Sequence, residues 1–144
     1  MPRIKISLPE DFSFSTTIAI RITDLNYGGH VGNDTILSLL HEARFQYLQH
    51  FGLTELQFAG TSLIMSDVGI EYKGELFQGD TVKVSVATSD YTRAAFDVYY
   101  KMECAQSGRL IAIAKTGMVC YNYESKKVVA VPDDAKQKLL AASK

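Results

Sequence analysis

The sequence predicts an α+β protein in which a curved antiparallel sheet of about five strands wraps around one long helix. Only one long segment has helical periodicity, and most of the remaining chain is rich in the β-branched and aromatic residues typical of strands. A helix and a sheet that are each apolar on one face need a second layer, so we expect them to pack on each other. The 144 residues match the length of one domain. We therefore expect a single domain over residues 1–144.

The first two elements differ in their periodicity. Residues 12–22 largely alternate between apolar and polar side chains, which predicts a strand with one buried face. From Asp34 onwards, apolar residues recur at three- and four-residue spacing for about four turns, which predicts an amphipathic helix. We expect Asn33 or Asp34 to cap the beginning of this helix and Gly52 to end it.

Strand-like segments follow the helix and are separated by turn signals rich in glycine, aspartate and serine. They cover residues 61–72, 80–88, 94–105 and 110–123, with a short edge strand at 128–131. Pro132 and the two aspartates after it favour a short helix over residues 133–143. The order is therefore strand, helix, then four long strands, which we expect to be antiparallel.

The composition is that of an ordinary globular protein, with 47% hydrophobic residues, 22% charged residues and a net charge of −1. Lys and Arg do not cluster, so we expect no nucleic-acid partner. No uncharged apolar stretch approaches the ~18 residues of a membrane span, and no apolar run of a signal peptide follows the N-terminus. Cys104 and Cys120 fall in strand-like segments, which favours buried free thiols and a cytoplasmic location.

Several common catalytic and metal-binding motifs are absent. The sequence has no G-x-S-x-G and no P-loop. His41 and Glu42 begin an H-E-x-x-H pattern, but Phe45 stands at its fifth position. His30 and His50 also have no partners at a metal-ligand spacing. We therefore expect no metal and no other cofactor.

The most informative segment is 23–34, where the first strand gives way to the long helix and polar side chains concentrate. Free backbone N–H groups at a helix N-terminus, with the helix dipole behind them, suit a developing oxyanion. The glycines of this segment would let a substrate carbonyl approach the backbone closely. The pattern favours acyl transfer to water. The same residue types also form Asx turns and helix caps that have no catalytic role.

The motif D-L-N-Y-G-G-H-V-G-N at 24–33, followed by E-A-R at 42–44, resembles the D-x-D-x-x-G-H-V-N-N…E-x-R signature of hotdog-fold acyl-CoA thioesterases. These form the 4-hydroxybenzoyl-CoA thioesterase-like family, with relatives that include the plant acyl-carrier-protein thioesterases. The segment at 69–84, G-I-E-Y-K-G-E-L-F-Q-G-D-T-V-K-V, is similar to the strand and turn I-x-Y-x-x-x-x-x-x-G-D of that family. The resemblance implies a hotdog fold and an enzyme that hydrolyses a thioester to free acid and CoA, by water attack at the N-terminus of the central helix.

The resemblance also implies catalytic positions. Asn26 stands where the family usually has its catalytic aspartate, and His30 and Asn33 match the H-V-x-N positions. An amide cannot accept a proton at neutral pH, but it can orient water or donate to a thioester carbonyl. The general base would then be His30, Asp24 or Asp67, and the sequence leaves these three alternatives open.

Other positions are implied for the oxyanion and the substrate. The backbone N–H groups expected to bind the oxyanion belong to Val31, Gly32 and Asp34, where Gly32 replaces a more usual asparagine. The residues expected to contact the substrate are Tyr27, Asp67 and Arg93. Of these, Arg93 is a candidate for the phosphates of CoA.

The resemblance further implies the partners of the chain. Glu42 and Arg44 match the helix signature, where an internal ion pair or a helix-surface contact is expected. The substrate would be an acyl-CoA or an acyl-carrier-protein thioester, with the acyl chain between the helix and a partner strand of a homodimer or homotetramer. A second hypothesis is a non-catalytic acyl-CoA or fatty-acyl-binding hotdog protein, in which Asn26 marks the loss of the nucleophile.

Overall fold

A computed structural model describes residues 3–141 and has the predicted α+β architecture. Its two α-helices are α1 (Asn33–His50) and α2 (Asp133–Ala141), and a short 3-10 turn covers Ile22–Asp24. Within the described residues the sheet has six strands, which are β1 (Phe14–Ala19), β2 (Ser62–Tyr72), β3 (Thr81–Ser89), β4 (Ala95–Cys104), β5 (Leu110–Asn122) and β6 (Lys127–Val128).

The strand order is β1-β3-β4-β5-β2, with β6 paired to β5, and all pairs are antiparallel. Strands β3, β4 and β5 form a consecutive meander, whereas β1 and β2 flank it at opposite edges. The connection from β1 through α1 to β2 therefore crosses the sheet, and so does the connection from β2 to β3. At one end of the sheet β1, β2 and β4 finish and α1 begins, and we call this the upper end.

The core lies between α1 and the concave face of the sheet. Helix α1 buries its apolar face through Ile36, Leu39, Leu40, Ala43, Tyr47 and Leu48. Alternate strand residues meet this face, among them Val82, Val84, Val86, Phe96, Val98 and Met102. Full burial of one such side chain contributes about 1.5–3 kcal/mol. This packing fixes where α1 begins relative to the upper end of the sheet.

The ends of the elements differ from the predictions in a few places. Helix α1 spans 18 residues with Gly32 at the N-cap position, and neither Asn33 nor Asp34 caps it through a side chain, because both already lie within the first turn. Gly52 does end the helix: its φ is 76° and its N–H donates to the Gln49 carbonyl at 2.9 Å. The last strand is β6 at Lys127–Val128 instead of 128–131. Helix α2 is described to Ala141, and the predicted end at Ser143 lies outside the described residues.

A buried polar network joins the middle of α1 to the sheet. The Arg44 side chain is buried; its Nε donates to Glu55 Oε1 at 3.0 Å and its Nη1 donates to the Tyr100 hydroxyl at 3.0 Å. The Tyr100 hydroxyl also bonds to the Thr116 hydroxyl at 2.7 Å, and Glu55 Oε2 lies 2.9 Å from His41 Nε2. Burial alone would lower the pKa of Arg44, but Tyr100 and Glu55 outweigh burial and raise it.

The ion-pair partner of Arg44 is Glu55, and not Glu42 of the same helix. Residues two positions apart on a helix do not face each other, and Glu42 instead accepts a hydrogen bond from Gln46 at 2.7 Å. The carboxylate that pairs with Arg44 comes from Glu55, in the connection before β2. Arg44 is thus the centre of an internal ion pair, whereas Glu42 makes a helix-surface contact.

Two other predictions concern the thiols and the membrane. Cys104 and Cys120 are buried free thiols, as predicted. Among residues 3–141, no helix is long and apolar enough to cross a membrane.

Candidate active site

Asn26 begins a tight turn between the 3-10 turn and α1. Its side-chain Oδ1 accepts the Gly28 N–H at 2.8 Å, and its carbonyl accepts the Gly29 N–H at 3.1 Å. Gly29 has φ 83°, a conformation that favours glycine. Because Oδ1 is engaged, Asn26 presents its Nδ2 amide, which has no acceptor among the described residues. Asn26 is therefore a hydrogen-bond donor at this site.

Two glycines keep space open around the Asn26 side chain. A Cβ at Gly28 would lie 3.2 Å from Asn26 Oδ1 and 3.7 Å from His30 Nε2. A Cβ at Gly32 would lie 3.8 Å from Asn26 Nδ2 and only 2.7 Å from Asp34 Oδ1. Glycine at position 32 therefore lets the Asn26 amide and the Asp34 carboxylate share the space in front of the helix N-terminus.

The first turn of α1 supplies further donors. The N–H groups of Thr35 and Ile36 donate to the Gly32 carbonyl at 3.0 and 3.1 Å. The N–H groups of Asn33 and Asp34 have no acceptor within residues 3–141, so they can receive an oxyanion. Val31 does not join them, because its N–H donates to the Leu76 carbonyl at 2.9 Å.

His30 presents an imidazole ring at the same end of the sheet as these donors. Its Nδ1 lies 3.1 Å from the Val31 carbonyl; because a carbonyl only accepts, Nδ1 carries a proton, and in the neutral imidazole Nε2 is then the acceptor. Nε2 lies 3.7 Å from Glu75 Oε1. His30, Asn33, Tyr72 and Glu75 are among the residues lining a cleft of about 230 Å³. The Tyr72 hydroxyl donates to the Asn33 carbonyl at 3.1 Å, which ties β2 to the beginning of α1.

Asp24 is buried and engaged by Arg21. Its Oδ2 accepts the Arg21 backbone N–H at 2.9 Å, and its Oδ1 accepts the Arg21 guanidinium at 3.1 Å. Burial alone would raise the pKa of Asp24, but the hydrogen bonds from Arg21 outweigh burial and hold it below its ordinary value. A lowered pKa makes a weaker base, so this geometry favours a structural role for Asp24.

The three residues expected at the substrate lie in different places. Asp67 is exposed on the face of the sheet opposite α1, where its carboxylate lies 3.6 Å from Lys115 Nζ. Arg93 is exposed in the connection from β3 to β4, at the end of the sheet opposite the site. Tyr27 is fully exposed beside Asn26. Of the three, only Tyr27 is adjacent to the site within this chain.

Two polar side chains of the cleft, those of Tyr72 and Glu75, were not predicted from the sequence as site residues. Both belong to the segment 69–84, whose similarity to the family was interpreted only as a strand and a turn. The sequence signal that could have indicated them as site residues was a tyrosine and a glutamate within that matched segment. Among residues 3–141, no group of three His, Cys, Asp or Glu side chains could hold a metal ion.

Comparisons with known proteins agree with this architecture. A 1,4-dihydroxy-2-naphthoyl-CoA thioesterase from Synechocystis superposes with a TM-score of 0.81 at 21% identity, covering 88% of this chain and 95% of that one. A thioesterase complexed with coenzyme A and Zn from Thermus thermophilus superposes with a TM-score of 0.80 at 22% identity, covering 94% of this chain and 97% of that one.

A predicted thioesterase from Bacillus stearothermophilus has a TM-score of 0.79 at 19% identity, and 91% of this chain and 96% of that one are covered. None of the curated proteins matches this chain in sequence. The family model of the thioesterase-like superfamily matches residues 20–139. The chain therefore belongs to the thioesterase-like superfamily and has the hotdog fold of that family, and this membership supports thioester hydrolase activity.

Proposed function

We propose that this protein is an acyl-CoA thioesterase that hydrolyses its substrate by water attack at the N-terminus of α1. One observation carries the proposal: among the described residues, three hydrogen-bond donors without acceptors lie at the upper end of the sheet together with an imidazole nitrogen to which no residue donates. The donors are Asn26 Nδ2 and the N–H groups of Asn33 and Asp34, and the acceptor is His30 Nε2. Ester-type hydrolysis needs this combination, since an oxyanion and a proton are produced together.

The reaction uses these groups in order. The thioester carbonyl oxygen accepts hydrogen bonds from the N–H groups of Asn33 and Asp34 and from the Asn26 amide. A water molecule donates one proton to His30 Nε2 while its oxygen bonds to the carbonyl carbon. The tetrahedral oxyanion then collapses, the carbon–sulfur bond breaks, and the proton on His30 passes to the departing thiolate. The products are the free acid and the thiol of CoA.

The substrate class is inferred from the comparisons and from the shape of the surface. The Thermus thermophilus thioesterase was solved with coenzyme A, and the Synechocystis enzyme is described as acting on an aromatic acyl-CoA. In this chain an apolar cleft of about 340 Å³ adjoins Asn33 and is lined by Leu37, Val68, Ile70 and Tyr72. The acyl group would enter this cleft, because burial of its apolar surface contributes to binding.

A homodimer is part of the proposal. Strand β2 pairs only with β5 among the described residues, so its other edge has no strand partner, although the Ile6 N–H donates to the Glu71 side chain on this strand. Met65, Val68 and Tyr72 on this strand are exposed. A second copy could cover these side chains and close the apolar cleft over the acyl group. An uncovered edge strand of this length would otherwise promote aggregation.

The test is thiol release by the purified protein from short-chain, long-chain and aryl acyl-CoAs, corrected with a protein-only control for Cys104 and Cys120. We expect turnover of at least one acyl class. Replacement of the Asn26 amide (Asn26→Ala) should lower kcat about 10- to 100-fold, since one oxyanion donor is removed. Asn122→Ala is a matched control, because Asn122 also forms an Asx turn, but at the opposite end of the sheet.

The alternative function predicts a different result. A non-catalytic acyl-CoA-binding protein would be stabilised thermally by acyl-CoA without releasing thiol. Thermal stabilisation without turnover across the whole panel would replace the thioesterase proposal with this one. Full activity of Asn26→Ala would instead show that Asn26 has no catalytic role, while the assignment as a thioesterase would still stand.

A further inference from the structure

We infer that Glu75 is a positioning residue of the hydrolytic reaction, whose carboxylate holds the His30 imidazole and stabilises the cation that His30 becomes when it takes a proton from water. This inference rests on the proposed thioesterase function. Glu75 lies outside the D-x-N-x-x-x-H motif, in the connection from β2 to β3. The structure brings it to His30 through contacts far apart in the sequence.

A backbone hydrogen bond places the two side chains next to each other. The Val31 N–H donates to the Leu76 carbonyl at 2.9 Å, and the side chains of both residues are buried. The residues that precede them, His30 and Glu75, are therefore held side by side at the rim of the cleft. Their Nε2 and Oε1 atoms are 3.7 Å apart.

The segment that carries Glu75 is fixed on its other side as well. The N–H groups of Lys73 and Gly74 both donate to the Ile111 carbonyl, at 2.8 and 3.0 Å. The Arg109 guanidinium donates to the Glu75 carbonyl at 2.5 Å. A Cβ at Gly74 would lie 2.9 Å from the Leu110 carbonyl oxygen, so a glycine is needed for this close approach.

The chemistry of the two atoms points to a shared proton. Nδ1 of His30 donates to the Val31 carbonyl, so Nε2 presents a lone pair towards a carboxylate that also only accepts. No described residue donates to Nε2 or to the Glu75 carboxylate. Two facing acceptors are satisfied when a proton is placed on Nε2, because the resulting cation and the carboxylate then attract each other across 3.7 Å. Such a proton arrives during hydrolysis, when water transfers it to His30.

The effect of Glu75 should be moderate. Its side chain is 60% exposed, so solvent screens the attraction between its carboxylate and the His30 cation. The same exposure means that replacing the carboxylate leaves no buried group without a partner. We therefore expect a change in rate without a change in folding.

The experiment compares Glu75→Gln and Glu75→Asp in the full chain and in a His30→Gln background. We expect Glu75→Gln to lower kcat about tenfold with KM and Tm unchanged, because the attraction between the carboxylate and the imidazole becomes strong only when the ring is charged during the reaction. Glu75→Asp, which keeps the carboxylate, should recover part of this loss. Glu103→Gln is a matched control, since Glu103 also faces a cation at 3.9 Å, on the outer surface of the sheet.

The double variant decides whether Glu75 acts through His30. In the His30→Gln background, Glu75→Gln should change the residual rate less than twofold. An unchanged kcat in Glu75→Gln, or a full tenfold loss in the His30→Gln background, would overturn the role of Glu75 alone. Failure of the unaltered protein to hydrolyse any acyl-CoA would overturn the proposed function, and the role of Glu75 with it.

Discussion

Two polar clusters lie along helix α1, and they differ in whether their polar groups have hydrogen-bond partners. In its middle, the buried Arg44 meets Glu55 and Tyr100, and every buried side-chain nitrogen or oxygen within residues 3–141 has a partner. At its beginning, the Asn33 and Asp34 N–H groups have no acceptor in the described chain, where His30 Nε2 also receives no hydrogen bond and faces only the Glu75 carboxylate at 3.7 Å. One cluster is closed and buried, and the other is open and faces a cleft.

The difference separates stability from reactivity. A satisfied buried network contributes to folding because removing one member leaves others buried without a partner. Donors and acceptors that are held in place but unsatisfied contribute little to folding, yet they are available to a transition state without reorganisation. Variants in the middle of α1 should therefore change the free energy of unfolding, and variants at its beginning should change the rate.

The largest effect is expected at His30. His30→Gln removes the proposed general base and should lower kcat by about 100-fold or more, while Tm changes little because the ring is partly exposed. Thiol release and thermal unfolding on the same preparation measure both quantities. His50→Gln is the control, since His50 is exposed at the other end of the same helix. A His30→Gln protein with normal kcat, or one that is poorly folded, would erase the distinction between the two clusters.

Arg44→Met should have the largest effect on stability. It retains the apolar stem but leaves Glu55 and Tyr100 without their cation, which costs about 3 kcal/mol when such a pair is broken. Urea unfolding followed by circular dichroism gives the free energy, and kcat of the folded fraction should stay within twofold. Arg93→Met replaces an exposed arginine and should leave unfolding unchanged. Equal stability of the two variants would show that the Arg44 network contributes nothing to folding.

Asp24→Asn should have the smallest effect and a defined pH dependence. The pKa of Asp24 is lowered in the folded protein, so its contribution is present above the unfolded pKa of about 3.9 and is lost as pH falls through the folded value. We expect a loss of about 1 kcal/mol at pH 7 that becomes smaller as pH falls below about 4. Unfolding measured at several pH values tests this, with the exposed Asp11→Asn as control. A loss of stability that is the same at pH 3 and pH 7 would exclude the charge of Asp24 as its cause.

The sequence predicted the elements well, for physical reasons that are local. Alternation over 12–22 and helical spacing from Asp34 depend on one face being buried, and this leaves a periodic pattern in the chain. The beginning of α1 was less predictable. Asn33 and Asp34 have the side chains that prefer N-caps, but here Gly32 takes that position and leaves the first two N–H groups open.

The site was predictable only within its own segment. Asn26 and His30 are close in the sequence and were predicted together, whereas Glu75, which we propose from the structure, is brought next to His30 by the hydrogen bond from Val31 to Leu76. Such a bond between distant connections leaves no periodic pattern. For the same reason Glu55 could not be identified from the sequence as the partner of Arg44.

The two connections that cross the sheet have a consequence for folding kinetics. The β3–β4–β5 meander is made of neighbours in sequence and can form early, whereas β1 and β2 must find partners after long loops have closed. The cleft lies where both crossing connections run side by side. A nascent or partly refolded chain would therefore possess most of its sheet before it possesses any active site, and catalytic competence would be among the last properties acquired.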